Sequence, residues 1–280
     1  MGEEPQLGAD AIVVAYRSAE VIGRCVDALR ADPAVLGIVV VNNSPGDGTR
    51  EVVERVPDLV YLDSPGNVGF GPAVNCARAH VHQEYVVLAN PDAVQDPGTS
   101  ASLVRFLADR PRGALVGPRM VDEQGRLYRN SQRDLSFVRL MFQSLGRPRS
   151  LGLARSRRDH ERAHVTDYAI GSFVMCRVRA LDSIGWFDES IFLFGEDQDL
   201  CRRLRNAGWE VWFAPVGTVE HLAGHSWRQL EDRGRALFKE ARYRELRKAG
   251  GRVGAEMYRA LVRAKDLARR MSGRVSGTGG

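Results

Sequence analysis

Glu196, Asp197 and Asp199 fall within four positions, just after an aromatic run of Trp186, Phe187, Phe192 and Phe194. Carboxylates crowded beside apolar groups repel one another and lose hydration. That raises at least one pKa and suits the group to take a proton. Helix chemistry offers a plainer account, because acids favour a first turn whose N–H groups are unpaired. Leu200 and Leu204 would form its apolar stripe, Gly208 its stop, and Asp199 could pair with Arg202 or Arg203. This explains Asp199 but leaves Glu196 and Asp197 in excess, since one cap is enough. Catalysis and capping both stay open on this fragment alone.

A second candidate is Asn90-Pro91-Asp92, which follows the apolar run 85–89. An acid at a strand end can hold Mg²⁺ or Mn²⁺, and the ion can bridge the two phosphates of a nucleotide diphosphate. The same tripeptide readily forms an Asx-turn, and alone it favours the turn. His221 and His225 are four apart, but Gly224 between them argues against a helical zinc pair.

These residues need a frame to bring them together. Apolar strand-like runs at 11–15, 37–41, 59–62 and 85–89 alternate with helical patterns at 20–30, 49–55, 72–81 and 99–108. Such βαβα alternation predicts a mostly parallel sheet with helices on both faces. Open parallel sheets bind ligands beyond the carboxyl ends of their strands. Tyr16 ends the first run and Asn42 the second, Asn67 follows the third, and Asn90 and Asp92 end the fourth. Further strands are predicted at 114–121, 127–131, 165–176 and 211–214, and a helix over 196–206. Residues 146–162, rich in Arg, Gly and Ser, read as a mobile loop that could close over a ligand.

Several function classes are excluded by their missing motifs. Gly66, Gly69 and Gly71 are spaced G-x-x-G-x-G after the third strand, unlike a dinucleotide fingerprint after the first. No P-loop and no G-x-S-x-G elbow occur. No apolar run approaches the roughly 18 residues of a membrane helix. The N-terminus lacks a signal-peptide layout. Cys25, Cys76, Cys176 and Cys201 lie far apart and read as reduced thiols, which points to a cytoplasmic protein.

The net charge of +5 conceals an asymmetry. Residues 228–274 hold 15 Lys and Arg against 6 Asp and Glu, whereas residues 1–227 hold 25 against 29. A basic tail on an acidic body suggests an anionic surface as partner, with a solvated helical face as the alternative. Aromatic residues are not interleaved with these charges, so no nucleic acid is expected. The tail is predicted to be helical from 227 to 271.

Taken in order, these blocks resemble family 2 inverting glycosyltransferases of the GT-A fold, and most closely their bacterial rhamnosyltransferase branch. The matching blocks run from Val39-Val40-Val41-Asn42-Asn43 through Asn67-Val68-Gly69-Phe70 and Leu88-Ala89-Asn90-Pro91-Asp92. They continue with Gly171-Ser172-Phe173, Gly185-Trp186-Phe187-Asp188-Glu189, Phe194-Gly195-Glu196-Asp197 and Val219-Glu220-His221. The resemblance implies a single α/β GT-A domain over 1–227, with a nucleotide-binding half at about 8–110 and an acceptor half at about 111–227. A basic helical extension (228–271) and a disordered tail (272–280) would follow.

It also implies roles. Asp197 would be the catalytic base, supported by Glu196. Asp92 and His221 would hold a divalent metal, Mn²⁺ or Mg²⁺. Tyr16, Asn42, Asn67, Gly69 and Asn90 would line the nucleotide-sugar pocket, and Gly171, Ser172 and Trp186 the acceptor side. The donor implied is dTDP-L-rhamnose, with galactofuranose or hexosamine donors, or a non-catalytic nucleotide-binding protein, as alternatives. The acceptor implied is a glycan or a lipid-linked sugar at the inner membrane face, where the basic tail would meet anionic lipid. Asn42 stands where the family often has Asp, and Arg17 where Asn often follows Tyr. No Gln-x-x-Arg-Trp segment of the processive synthases is present, which implies one sugar per encounter.

Overall fold

The computed structural model describes residues 7–134, 155–222 and 225–275, without the side chains of 225–233, 235, 249, 250 and 265–275. Its frame is a ten-stranded sheet. β1 (Ala9–Ala15), β2 (Val35–Asn42), β3 (Leu59–Asp63) and β4 (Tyr85–Ala89) run parallel in the order β3-β2-β1-β4. All seven residues of β1 are buried, as befits a strand covered on both faces.

Alternate residues of these strands feed two cores. Ala11 and Val13, with Val40 and Val87, pack under α1 (Ile22–Arg30) and α4 (Thr99–Ala108). Ile12 and Val14, with Val39, Val41, Val86 and Leu88, pack under α3 (Phe70–Ala77), which follows the short α2 (Thr49–Val53). The period of two thus places one helix layer on each face. The second core continues under α5 (Val178–Ser183) and α6 (Glu196–Asn206) through Leu181, Leu200, Cys201 and Leu204.

Beyond β4 the sheet becomes mixed. β11 (Phe173–Arg177) lies antiparallel to both β4 and β6 (Gly113–Val121), and β6 pairs in parallel with β12 (Glu210–His221). The strand expected over 165–176 is three pieces: β9 (His164–Val165), β10 (Tyr168–Ala169) and β11. The run expected over 127–131 is likewise two short strands, β7 (Leu127–Tyr128), paired with β6, and β8 (Ser131–Gln132), paired with β10.

Two departures matter for the site. β12 runs on to His221, past Pro215, because a register shift between Phe213 and Thr218 absorbs the residue that cannot donate. A strand missed in the sequence, β5 (Ala93–Gln95), pairs antiparallel with that continuation and sets His221 opposite Ala93.

The C-terminal helical span, α7, covers His225–Val275. Gly251 interrupts it with φ of +77°, a left-handed conformation that glycine adopts without a Cβ clash. The Tyr243 hydroxyl donates to Glu256 Oε1 at 2.7 Å, and the Arg259 guanidinium lies 3.8 Å from the Tyr243 ring centre. Residues thirteen apart on a straight helix would be separated by about 20 Å. The chain therefore doubles back into a helical hairpin, with its own small core of Leu246, Ala255 and Tyr258. No described helix is long and apolar enough to cross a membrane.

Residues 146–154 of the expected mobile loop, and 276–280 of the expected disordered tail, lie outside the described residues. The described remainder of the loop holds a single 3-10 turn, Arg158–Glu161, and does not line the cavity described next.

Candidate active site

A cavity of about 570 Å³ opens beyond the carboxyl ends of β1 and β4 and runs under α6 and α7. Its first end is built from strand-end loops. Tyr16, Asn43, Asn67 and Gly69 line it. Asn67 Oδ1 accepts the Gly69 N–H at 3.1 Å. Gly69 is required by space as well as by its φ of +97°, since a Cβ there would lie 2.1 Å from the Phe192 carbonyl oxygen.

Asn42, expected in this pocket, does not line the cavity. It is fully buried, and its amide group closes the 42–47 turn. Its Oδ1 accepts from the Ser44 N–H at 3.0 Å, and its Nδ2 lies 2.9 Å from the Tyr61 hydroxyl and 3.2 Å from Asp47 Oδ1. The neighbouring Asn43 takes the place at the cavity, donating to the Gly69 carbonyl at 2.9 Å and accepting from the Ser64 hydroxyl at 2.9 Å. Strand alternation could have signalled this, because consecutive residues face opposite sides.

The middle of the cavity holds Asn90, Asp92 and His221. The Ala93 N–H donates to the Asn90 carbonyl at 3.1 Å, so Asn90-Pro91-Asp92 does form a turn. The turn accounts for the backbone but not for the Asp92 side chain. That carboxyl is 2% exposed, and its Oδ1 lies 3.4 Å from His221 Nε2 without a hydrogen bond. His221 Nδ1 is also buried without a partner. Pairing of β12 with β5 makes this meeting possible, and the Leu222 N–H donates to the Asp92 carbonyl at 3.0 Å. Among the described residues, no group of three or more His, Cys, Asp or Glu gathers as a metal cluster.

Glu196 and Asp197 open α6 after Phe194 and Gly195, both at positive φ (+63° and +85°). This bent approach turns the first helical turn into the cavity. Asp197 Oδ2 accepts the Gly171 N–H at 3.3 Å. Gly171 and Ser172 line the cavity beside it, and the Ser172 carbonyl accepts the Asn90 N–H at 2.8 Å. Loss of hydration raises both acids above the usual carboxylate range, and for Glu196 the neighbouring Asp197 charge adds to it. Glu196 Oε2 is buried without a hydrogen bond.

Trp186, expected on the acceptor side, is 1% exposed in the core, where its Nε1 donates to Asp182 at 2.9 Å. It does not line the cavity; its neighbour Phe187 does.

The far wall comes from α7, which the sequence reading assigned to a separate extension. Phe238, Ala241, Arg242 and Glu245 line the cavity at helical spacing. Ion pairs fix this segment to α6: Glu245 pairs with Arg202, and Lys248 meets Asp199 at 2.7 Å. The Arg244 guanidinium also donates to the Phe194 carbonyl at 2.7 Å. Tyr128 and Tyr168, likewise missed in the sequence, line the floor. Their hydroxyl pKa values are raised, first by burial and next by the Asp197 charge. Tyr128 also feels Asp92, and Tyr168 feels Arg242.

Comparison with known proteins agrees with this geometry. Residues 5–237 match the family described as glycosyltransferase like family 2. The N-acetylglucosaminyl-diphospho-decaprenol L-rhamnosyltransferase of Mycobacterium tuberculosis is 30% identical over 208 residues, 68% of each chain. Rhamnosyltransferase WbbL of Escherichia coli is 25% identical over 224 residues, 76% of this chain and 83% of that one. The mannosyltransferase PcManGT of Pyrobaculum calidifontis, solved with GDP-Man and Mn²⁺, overlays with a TM-score of 0.55 at 18% identity, covering 95% of this chain and 84% of that chain. The sheet and its flanking helices are thus those of the GT-A fold.

Proposed function

The chain belongs to glycosyltransferase like family 2, and from that membership we propose that it transfers L-rhamnose from dTDP-L-rhamnose, with inversion, to a hydroxyl of a lipid-linked glycan precursor. One observation carries the reading. A carboxylate pair with raised pKa and no ion-pair partner among the described residues shares a cavity with an Asp92–His221 pair whose Asp92 Oδ1 and His221 Nδ1 lack hydrogen bonds.

The acceptor hydroxyl must lose a proton as it attacks the anomeric carbon. Asp197 takes it. Its raised pKa brings the base closer to neutral pH, where general-base catalysis is most effective. The Gly171 N–H meets Oδ2 at 3.3 Å and the Gln198 N–H meets Oδ1 at 2.7 Å, which orients the carboxylate, and each oxygen keeps a second lone pair for the hydroxyl. Glu196, pushed up to about 8 by burial and by the Asp197 charge, keeps its own proton near neutrality and leaves the negative charge on Asp197. A single displacement with one base inverts the anomeric centre.

Asp92 and His221 suit a divalent ion such as Mn²⁺ or Mg²⁺. They offer a carboxylate oxygen and an imidazole nitrogen that no described residue satisfies with a hydrogen bond, and phosphate oxygens and water can complete the shell. Such an ion would offset the charge of the departing diphosphate. Tyr16, Asn43, Asn67 and Gly69 hold the nucleotide.

The second helix of the α7 hairpin carries exposed apolar residues, Val253 (75%) and Met257 (49%), with Ala260 and Ala264 also exposed at helical spacing. Arg252, Arg259 and Arg263 accompany them. This face suits an anionic bilayer, where a lipid-linked acceptor would be met.

The test is a melting-temperature screen of dTDP-, UDP- and GDP-sugars with Mn²⁺ or Mg²⁺, followed by transfer from the stabilising donor to a prenyl-diphospho-N-acetylglucosamine. dTDP-L-rhamnose with metal should stabilise most, and Asp92→Ala should lose the metal-dependent part. Stabilisation by UDP- or GDP-sugars alone overturns the donor assignment.

A further inference from the structure

The first helix of the α7 hairpin has a chemistry of its own at the cavity. Arg242 lines it with its side chain partly exposed. Its guanidinium lies 4.5 Å from the Phe238 ring centre, and among the described residues no carboxylate pairs with it. One turn further, Glu245 is 1% exposed. One of its oxygens is committed to Arg202, while Oε1 is buried at the cavity without a hydrogen bond, 4.0 Å from Arg244 Nε. A planar cation without a carboxylate and a buried acceptor oxygen without a hydrogen bond, three residues apart on one helical face, form an incomplete recognition site.

Their place in the cavity decides what they complete. The nucleotide end lies at Tyr16, Asn43 and Asn67. Asp197 meets the Gly171 N–H beside Ser172, whose carbonyl accepts the Asn90 N–H, whereas Gly195, two residues before Asp197, packs against Ala241, Arg244 and Glu245 of α7. The base thus stands between the Asn90–Asp92 turn and the α7 face. A donor diphosphate held near Asp92 is therefore on the other side of the base from Arg242. What approaches from the Arg242 side is the molecule whose hydroxyl Asp197 deprotonates. An acceptor bearing only neutral sugar would leave the guanidinium without an anionic partner in a cavity also lined by Asp92, Glu196, Asp197 and Glu245. An acceptor bearing a phosphate would be repelled by those acids unless a cation met it, and Arg242 is placed to do so through paired N–H donors.

Resting on the function proposed above, we propose that the Phe238–Glu245 face of α7 is the acceptor subsite, with Arg242 taking a phosphate of a glycosyl-diphosphate acceptor and Glu245 Oε1 taking a hydroxyl of its sugar. Arg242 selects the phosphorylated acceptor over a neutral glycoside, and Glu245 serves either one. The Phe238 ring keeps the guanidinium planar against the wall and excludes water behind it.

The experiment uses the full chain saturated with dTDP and Mg²⁺, so that the donor diphosphate site is filled. Two probes are titrated by calorimetry: a short-chain prenyl-diphospho-N-acetylglucosamine and octyl N-acetylglucosaminide. The wild type should bind the diphosphate probe at least about tenfold more tightly. Arg242→Ala should reduce that preference to near unity, and Arg242→Lys should restore part of it. Glu245→Gln should weaken both probes alike and keep the preference. A wild type without preference, or an Arg242→Ala variant that retains it, overturns the proposal. Failure of dTDP to raise the melting temperature would instead strike the donor reading, so the two failures are told apart.

Discussion

Two sides of the first turn of α6 carry acids, and they could hardly be treated more differently. On one side Asp199, 1% exposed, is met by Arg202, by Arg203 at 2.7 Å and by Lys248 at 2.7 Å. Burial alone would raise its pKa, but the Lys248 and Arg203 hydrogen bonds outweigh burial and hold it below the usual range. On the other side Glu196 and Asp197 have no cation within salt-bridge distance among the described residues, and burial pushes both upward. Two or three positions of sequence separate a paired anion from the proposed base and its neighbour. The difference lies in the partners that α6 and α7 supply.

The sharpest way to break this contrast is at Asp197. Asp197→Asn should lower transfer by roughly a thousandfold, the scale of a lost general base. The stabilisation by dTDP and metal should survive. Near-normal turnover would move the base elsewhere.

The opposite side should respond in stability. Asp199→Ala leaves three cations facing a void at the α6–α7 joint and should cost about 2 kcal/mol, the buried-pair penalty discounted for the partial exposure of its partners. Denaturant titration measures it. Because Asp199 is held below its unfolded pKa, its contribution is present above that unfolded value and should fade as pH drops through the folded one. An unchanged midpoint at pH 7 would mean that the pairs contribute nothing.

The smallest effect is expected at Glu196, with the reverse sign. Its folded pKa lies above the unfolded value, so the folded state holds its proton longer and stability falls as pH rises through that window. Glu196→Gln should therefore raise the melting temperature by about 2 °C or more above neutrality. Below the unfolded carboxyl pKa, about 4.3, the gain should vanish. A loss of stability at high pH would show that the carboxylate is held by a partner after all.

Much of this was legible in the sequence, and the limits have physical reasons. β4, α4 and α6 fall where apolar periodicity and end signals put them, because each carries its core stripe locally. β5 was hidden, being three residues behind a proline turn and specified by pairing with a strand more than a hundred residues away. Asn42 was chosen over Asn43 because a one-residue choice on a strand exchanges faces, and polarity alone does not say which face carries the ligand. Trp186 was read as a binding aromatic, yet its side chain is core, with its N–H satisfied locally. The α7 wall escaped because its charges were counted as a regional average. Arg242 and Glu245 matter as individuals, positioned through Arg202 some forty residues earlier in the chain.

The match to the family ends at residue 237, and the cavity wall begins at Phe238. The matched body thus contains the Glu196–Asp197 pair and the strand-end loops, while the helix beyond it completes the opposite wall. Among the described residues, that helix is held to α6 and its approach by side-chain ion pairs, by the Arg244 N–H on the Phe194 carbonyl and by the Phe194–Phe238 ring contact rather than by sheet pairing. For the engineer, the hairpin after residue 237 is the segment to exchange, since it can be replaced without touching the strand-end loops or the first turn of α6.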